Sequence, residues 1–237
     1  MALIPTASSP KQLRCSQCSL VKLCLPVGLN DEDMMQLESI IETSKIYKQN
    51  ESVYRAGDPF HHVYAVKSGM FQTVAIDANG DSQIVGFHLP GELFGLDAIY
   101  PGHYTSTPVA VSSSIACSID FKELSTLATQ MPSLQHQLLT LMSKEMHASH
   151  VNMGDHSADQ KIAGFILSLS ARYKQRGYSA NQFQLLMSRK DIANHLGMAP
   201  ETVSRLLKRL INEDVLDINQ SDITIKNMKY LQDTVGH

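Results

Sequence analysis

The sequence predicts an α+β chain in which an antiparallel β-roll is followed by one long helix and a C-terminal winged helix-turn-helix domain. Short alternating apolar runs broken by turns fill residues 45 to 120, a pattern typical of a roll or barrel. Apolar residues at helical spacing then extend from residue 132 to residue 153. Between residues 188 and 210, two short helical patterns flank Gly197, which indicates two helices joined by a tight turn.

The length and composition indicate an ordinary globular protein. A chain of 237 residues is long enough for two domains, each with its own core. The first ten residues lack the basic stretch and the apolar run of a secretory signal, and no later segment is apolar for long enough to span a membrane. We therefore expect a cytoplasmic protein that has no membrane partner and whose thiols are reduced.

Three of the four cysteines lie within ten residues, in the pattern Cys-x2-Cys-x5-Cys. They are Cys15, Cys18 and Cys24. In a reducing compartment such a cluster indicates a bound metal or iron–sulfur cluster rather than disulfides. The fourth, Cys117, alternates with Ile115 and Ile119 and is expected on the apolar face of a strand. It is either a fourth ligand or an ordinary buried cysteine.

The chain between the cysteines and the long helix predicts one helix and then the roll. Asn30 is a candidate N-cap with two acidic residues after it, and Met34, Leu37, Ile40 and Ile41 form an apolar stripe. The expected strands lie at residues 63–66, 71–76, 84–87, 109–111 and 115–119.

The long helix carries apolar residues at the 3-4-3-4 spacing of a coiled-coil seam. The seam residues are Leu139, Met142, Met146, Ser149 and Met153. They predict a homodimer interface, and the alternative is a helix that packs on its own domain. Because the seam is rich in flexible Met and contains one polar Ser, the dimer should be weak and easily switched.

The segment from residue 188 to residue 210 predicts a helix-turn-helix. Ser188 caps a first helix with Asp191 at its third position, Gly197 permits a left-handed turn, and Pro200 opens a second helix. The inward-facing residues are Ile192, Leu196, Val203, Leu206, Leu207 and Leu210. Residues 217–226 predict the two strands of a following wing.

The outward residues of this motif fit double-stranded DNA. Arg205 can make a bidentate contact to guanine, and Glu201 can accept from cytosine. Lys208 and Arg209 suit phosphate. The candidate DNA-contacting residues are Ser188, Arg189, Glu201, Thr202, Ser204, Arg205, Lys208 and Arg209. The alternative is a solvated charged face on a helix hairpin of the core.

Charge is distributed unevenly along the chain, whose formal net charge is −3. Residues 1–156 contain 9 Lys and Arg against 15 Asp and Glu, and residues 157–237 contain 11 against 8. A mildly basic C-terminal part behind an acidic N-terminal part fits a DNA reader attached to a sensor. We expect a cluster-binding segment at 1–28, a β-roll sensor at 29–131, a dimerisation helix at 132–156 and a winged helix-turn-helix domain at 157–237.

These patterns together resemble a known family. The combination is the cysteine spacing, a roll with one late cysteine, a long helix, and Glu-x-x-Ser-Arg at residues 201–205. Residues 87–99, Phe-His-Leu-Pro-Gly-Glu-Leu-Phe-Gly-Leu-Asp-Ala-Ile, add to it. From about residue 15 to residue 230 the chain resembles the fumarate and nitrate reductase regulator family, the oxygen-sensing branch of the cyclic-AMP receptor protein superfamily.

The resemblance implies a transcription regulator and not an enzyme, with a roll like that of cyclic-nucleotide-binding domains. Cys15, Cys18, Cys24 and Cys117 would hold one 4Fe–4S cluster per chain. Without oxygen the protein would dimerise and bind a palindrome resembling TTGAT-N4-ATCAA, activating or repressing genes of anaerobic metabolism. Oxygen would convert the cluster toward a 2Fe–2S form and release the DNA.

The resemblance also implies a contact with RNA polymerase through the turn at residues 77–82. Some relatives carry an acidic residue where Ser149 lies in the seam. Without that repulsion, the clusterless protein is expected to dimerise more readily, so oxygen would switch it less completely.

Other interpretations stay open. A structural zinc site would suit four thiolates, although such sites usually pair two Cys-x2-Cys units. A regulator that binds a cyclic nucleotide would need a cation in the roll for the ligand's phosphate, but there is no Lys or Arg between Lys67 and Lys122. Residues 105–108, Thr-Ser-Thr-Pro, stand where a phosphate-binding arginine would be expected. A thiol–disulfide enzyme would need a strand directly before Cys15, and residues 11–14, Lys-Gln-Leu-Arg, are too short and too polar to form it.

Overall fold

The structure is a computed structural model that describes residues 15–76, 79–152 and 156–236, except for the side chains of residues 43 and 147–152. Its helices are α1 (Asp31–Ser39), α2 (Phe121–Gln130), α3 (Pro132–Asn152), α4 (Ala158–Gln175), α5 (Arg189–Leu196), α6 (Pro200–Asn212) and α7 (Met228–Val235). Its strands are β1 (Ile41–Tyr47), β2 (His62–Ser68), β3 (Phe71–Ile76), β4 (Ser82–His88), β5 (Leu93–Phe94), β6 (Thr107–Ala110), β7 (Ser114–Asp120), β8 (Gln182–Gln184), β9 (Leu216–Asn219) and β10 (Asp222–Ile225).

The N-terminal strands form the predicted antiparallel roll. One sheet has the order β1-β7-β2-β5 and the other has the order β4-β3-β6. Every pairing within them is antiparallel. The α+β fold class is therefore confirmed, and the five runs expected to be strands all lie in or overlap strands of the roll.

The helix predicted before the roll begins as expected and ends early. The Asn30 side chain accepts a hydrogen bond from the Asp33 amide, so the N-cap is confirmed. The helix ends at Ser39, and Ile41, which the apolar stripe had included, is the first residue of β1. Its inclusion in the helix was wrong because pairing with Ile119 of β7 draws this β-branched residue into the sheet.

Strand β7 lies in the middle of its sheet and is covered on both faces. Ala116 belongs to an aromatic cluster inside the roll, whereas Cys117 and Ile119 face a second cluster made with the helices. Cys117 pairs in register with Ser44 of β1 and Ala65 of β2. A central strand held on both sides fixes the position of Cys117 firmly.

Helix α3 uses two different faces. Leu134 is fully buried, and Leu138 and Leu141 are partly buried against the same cluster as β7. Leu139 and Met146 on another face are 59% and 62% exposed. The helix therefore packs on its own roll and also leaves an apolar face uncovered.

The C-terminal domain has the predicted winged helix-turn-helix. Ser188 and Asp191 form a reciprocal capping box at the start of α5, and Gly197 takes a φ of 63°. Pro200 opens α6, whose inward residues are buried. Strands β9 and β10 form the wing, and β8 and α7 complete the domain without having been predicted.

Candidate cysteine site and DNA-reading surface

The four cysteines line one pocket. Its volume is about 440 Å³, including space open to solvent at its mouth. Cys117 comes from β7, and the other three come from the segment at residues 15–24. The rest of the lining is largely apolar: Leu20, Val21, Leu25, Pro26, Leu37, Ile41, Ala65, Val66, Lys67 and Ile119. The chain therefore brings a residue 93 positions away to the three clustered cysteines (117 − 24 = 93).

Successive tight turns curl the cysteine segment around the pocket. The Cys18 amide donates to the Cys15 carbonyl at 2.9 Å, and the Cys24 amide donates to the Leu20 carbonyl at 3.1 Å. The backbone amide and the hydroxyl of Ser16 both donate to Oε1 of Glu38, at 2.8 and 2.9 Å. These bonds attach the segment to α1 and set its position over β7.

The thiols of Cys15, Cys24 and Cys117 are in an environment that favours the neutral form. Burial, with added repulsion from neighbouring thiols, raises the pKa of Cys15 and of Cys24 to about 12 each. Burial also raises the pKa of Cys117, and Lys67 acts in the opposite direction. Thiolates at these three positions would therefore need a positive partner, as a metal centre would supply.

The four cysteine sulfurs do not form a compact group of the kind that holds a single metal ion. Among the described residues, the one group of three or more possible metal ligands whose atoms all lie within 4.8 Å of one another is Glu42, His62 and Asp120. Thus no three cysteine sulfurs meet that spacing. The members of that other group have structural partners: His62 pairs with Glu42 at 3.0 Å, and Asp120 caps α2.

Two features of the pocket were missed from the sequence. Lys67 lines it close to Ala65, the partner of Cys117, at the point where the pairing of β2 with β7 shifts register between Val66 and Ser68. Gln137 of α3 donates from Nε2 to the Cys24 carbonyl at 3.1 Å. Neither residue has a local sequence signal for the pocket, because the pairing of β2 with β7 and the packing of α3 bring them there.

Helix α6 presents the expected DNA-reading residues. Glu201, Arg205 and Lys208 are exposed, and Thr202 and Ser204 are partly exposed. Ser188 and Arg189 are exposed where α5 begins. This places polar and charged side chains along one surface of the helix, above a face buried by its four apolar residues.

Arg209 is already engaged in the protein. Its guanidinium pairs with Asp159 of α4 and lies 3.8 Å from Glu213. A phosphate contact by Arg209 would compete with these two carboxylates, whereas Lys208, also expected to contact phosphate, is exposed.

The interior of the roll is filled by aromatic rings. Tyr54 stacks on Tyr104 with centroids 3.5 Å apart, and Tyr64 stacks on Phe94 at 5.3 Å. Asp97 accepts hydrogen bonds from the hydroxyls of Thr105 and Ser106, where a phosphate-binding arginine would be expected. A carboxylate at this position disfavours the phosphate of a cyclic nucleotide.

The expected dimer seam is only partly described. Leu139, Met142 and Met146 are 59%, 37% and 62% exposed. The side chain of Ser149 and the whole of Met153 lie outside the described residues, as do residues 77 and 78 of the expected polymerase-contacting turn. Among the helices of the described ranges, none combines the length and apolar character needed to cross a membrane.

Both parts of the chain match known domain families. Residues 44–130 match the family described as a cyclic nucleotide-binding domain, and residues 160–234 match the Crp-like helix-turn-helix domain. The structure is similar to that of FixK2 from Bradyrhizobium japonicum, with a TM-score of 0.73 and 27% identity over 81% of this chain and 96% of that one. A CooA mutant from Carboxydothermus hydrogenoformans shares the fold, with a TM-score of 0.65 and 16% identity over 81% of this chain and 87% of that one.

The sequence similarity extends over nearly the whole chain. It is 39% identical over 228 residues to the fumarate and nitrate reduction regulatory protein of Escherichia coli (strain K12), covering 95% of this chain and 91% of that protein. The protein of the same name from Shigella dysenteriae matches to the same extent. The chain is therefore a transcription regulator, not an enzyme, and it belongs to the Crp/FNR family alongside the fumarate and nitrate reduction regulatory proteins.

Proposed function

We propose that this protein is an oxygen-responsive regulator that holds one 4Fe–4S cluster per chain on Cys15, Cys18, Cys24 and Cys117. Without oxygen it forms a homodimer through α3 and binds a palindrome resembling TTGAT-N4-ATCAA. It thereby activates or represses genes of anaerobic metabolism. The observation that carries this proposal is the single pocket lined by all four cysteines.

The donor set fits the cluster. Four sulfur donors line a mostly apolar pocket, which suits an iron–sulfur centre. A single tetrahedral zinc ion bound at 2.3 Å would hold the sulfurs about 3.8 Å apart. Because no three of the four described cysteine sulfurs lie within 4.8 Å of one another, their spacing favours a larger, multinuclear centre over zinc.

When bound, the cluster supplies an oxygen-reactive centre that neutralises and orients the four thiolates. Lys67 places a cation at the pocket wall, where it lowers the electrostatic cost of the thiolates. The apolar lining limits water around the sulfurs, and the turns of residues 15–24 hold three of them over Cys117 on its rigid strand.

The cysteine site contacts the dimer helix directly. Gln137 of α3 is hydrogen-bonded to the Cys24 carbonyl, and Leu25 and Leu134 are buried in one cluster. Loss of the bound centre would free the cysteine segment and so disturb the support of α3. The exposed seam residues Leu139 and Met146 would then be held less well for pairing.

Dimerisation would make DNA binding depend on the state of the cysteine site. Two copies of α6 are needed to read two half-sites of a palindrome. Arg205 and Glu201 supply base contacts, and Lys208 supplies a phosphate contact. We assign the turn at residues 77–82 to RNA polymerase by resemblance to the family.

The proposal is tested by Cys117→Ala in anaerobically prepared protein. We expect the variant to lose iron, sulfide and specific operator binding although residue 117 lies far from α6. Ser118→Ala, on the neighbouring position of the same strand, is the control and should keep all three. Operator affinity equal to that of the wild type in Cys117→Ala would contradict the proposal.

A further inference from the structure

The turn formed by Gly91 and Glu92 supports the cysteine segment. Gly91 has a φ of +89°, and a Cβ built on it would lie 3.0 Å from Cβ of Leu23 and 3.9 Å from Cβ of Leu20. The segment between the cysteines therefore rests on the backbone of the turn. A residue with a side chain would push this segment away and would also be strained at that φ.

The same turn is bonded to the wall of the pocket. The Gly91 amide donates to the Val66 carbonyl at 2.8 Å, and the Val66 amide donates to the Glu92 carbonyl at 2.9 Å. Val66 and its neighbour Lys67 both line the cysteine pocket. A change of position in the pocket wall would therefore reach the turn through two backbone hydrogen bonds.

On its other side the turn binds two arginines of α4. Oε1 of Glu92 accepts from Nε of Arg172 at 2.9 Å and from Nη2 of Arg176 at 2.6 Å, and Oε2 accepts from Nη2 of Arg172 at 2.5 Å. Arg172 and Arg176 also donate to the carbonyls of Phe87 and Pro90. The Arg176 side chain is only 3% exposed, and charge-assisted bidentate pairs of this kind are strong and orientation-specific.

Burial alone would raise the pKa of the Glu92 carboxyl, but Arg172 and Arg176 hold it at about 2. Glu92 is therefore ionised at neutral pH and keeps both guanidinium partners. The interaction crosses the chain between the roll and the C-terminal domain, with partners 80 and 84 positions apart.

A second contact holds the C-terminal domain on the roll. Asn194 of α5 donates from Nδ2 to the Ser82 carbonyl at 2.8 Å and accepts from the Ile84 amide. Ile84 and Phe87 of the roll belong to one hydrophobic cluster with Phe165 of α4. Because α6 follows α5 directly, these contacts set how the reading helix is oriented relative to the roll.

We propose that Glu92 is a positioning residue for DNA recognition, which holds the reading domain on the roll under the control of the cysteine segment. The inference rests on the proposed function. It adds a second connection between the cysteine site and the DNA-reading surface, beside the connection through α3. A dimer gains avidity from two half-sites only when both reading domains are held at the matching spacing. A loosely held domain still fits one half-site.

The test compares a palindrome with a single half-site as ligands for the full-length, anaerobically prepared protein, with iron and sulfide assayed in each sample. In Glu92→Gln we expect affinity for the palindrome to fall about tenfold or more, with affinity for the half-site unchanged. Glu51→Gln, which removes the ion pair with Lys45, is the control and should leave the ratio of the two affinities unchanged.

An unchanged ratio in Glu92→Gln would overturn the inference. A parallel loss on both DNAs with a lower melting temperature would also overturn it, because Glu92 would then serve folding alone. A wild type that binds no iron would contradict the proposed function instead. The ratio of palindrome affinity to half-site affinity, compared between that protein and Glu92→Gln, would still test whether Glu92 positions the reading domain.

Amide exchange tests the link to the cysteine segment. In the wild type we expect removal of iron to speed exchange at the C-terminal end of α4, where Arg172 lies. In Glu92→Gln exchange there should already be fast and should change little on iron removal. Equal exchange rates in the wild type before and after iron removal would show that the cysteine segment does not control how α4 is held on the roll.

Discussion

Gln137 of α3 donates a 3.1 Å hydrogen bond from Nε2 to the backbone carbonyl of Cys24. The bond joins residues 113 positions apart and connects a cysteine of the pocket to the helix that carries the exposed seam. It gives the cysteine site a direct hold on the position of α3.

Replacing Gln137 by Ala should weaken this hold. A hydrogen bond of this kind contributes about 0.5–1.5 kcal/mol. The ratio of the dimer dissociation constant of iron-free protein to that of iron-loaded protein should therefore fall by up to about tenfold. Sedimentation equilibrium in both states measures it. Gln135→Ala, on the exposed side of the same helix, is the control and should leave this ratio unchanged. A ratio in Gln137→Ala equal to that of the wild type would disprove the coupling.

Lys67→Met should make the iron centre less stable. The variant removes a cation from the wall of the pocket, where the proposed centre and its thiolates are anionic. The loss should be on the order of 1 kcal/mol, visible as faster release of iron to a chelator without air. Lys122→Met, at the exposed start of α2, is the control. Equal release rates in the Lys67 variant and the wild type would exclude an electrostatic role for this residue.

Arg205→Ala and Lys208→Ala should differ in how they weaken DNA binding. Arg205→Ala should cost about 1–3 kcal/mol on the cognate palindrome and relax specificity at one base pair. Lys208→Ala should weaken cognate and random DNA alike and reduce the salt dependence by about one ion. Titrations with cognate, single-substituted and random duplexes at several salt concentrations separate the two. Equal losses on all duplexes for Arg205→Ala would reassign it to phosphate.

His88 should make the folded protein less stable in mild acid. Burial lowers the pKa of His88 to about 4 from an ordinary 6.5, and its Nε2 lies 2.6 Å from the Thr73 hydroxyl. Between these two pH values the unfolded chain binds the additional proton. The free energy of unfolding contributed by His88 is therefore complete above pH 6.5 and falls by on the order of 3 kcal/mol as pH drops toward 4.

Denaturant unfolding at pH 7 and pH 5 measures this dependence. In His88→Gln the fall between the two pH values should be smaller than in the wild type. His136→Gln, which changes an exposed histidine at the start of α3, should retain the dependence of the wild type. An identical fall in wild type and His88→Gln would assign the acid sensitivity to other groups.

Local patterns were sufficient for most of the fold. The strands of the roll were predicted because alternation and turn residues act over a few positions, and the same holds for the caps at Asn30 and Ser188. Ile41 was placed wrongly because its helical spacing competed with pairing to a distant strand, β7. Helix α7 was not recognised, although Asn227 caps it.

The candidate site was predictable in its residues but not in its connections. The cysteine spacing indicated a shared ligand, whereas the position of Cys117 beside the other three depends on the pairing of β7 with β1 and β2. Lys67 and Gln137 carry no local signal. The ion pair of Glu92 with Arg172 crosses between two domains, and no periodicity within either one indicates it.

The most direct test of the oxygen-sensing account is an absorption spectrum of anaerobically purified protein, with iron and sulfide assayed, before and after exposure to air. We expect a brown protein with about four iron and four sulfide per chain, whose spectrum changes in air as operator binding is lost. A colourless protein that contains stoichiometric zinc and binds the operator equally with and without air would contradict it.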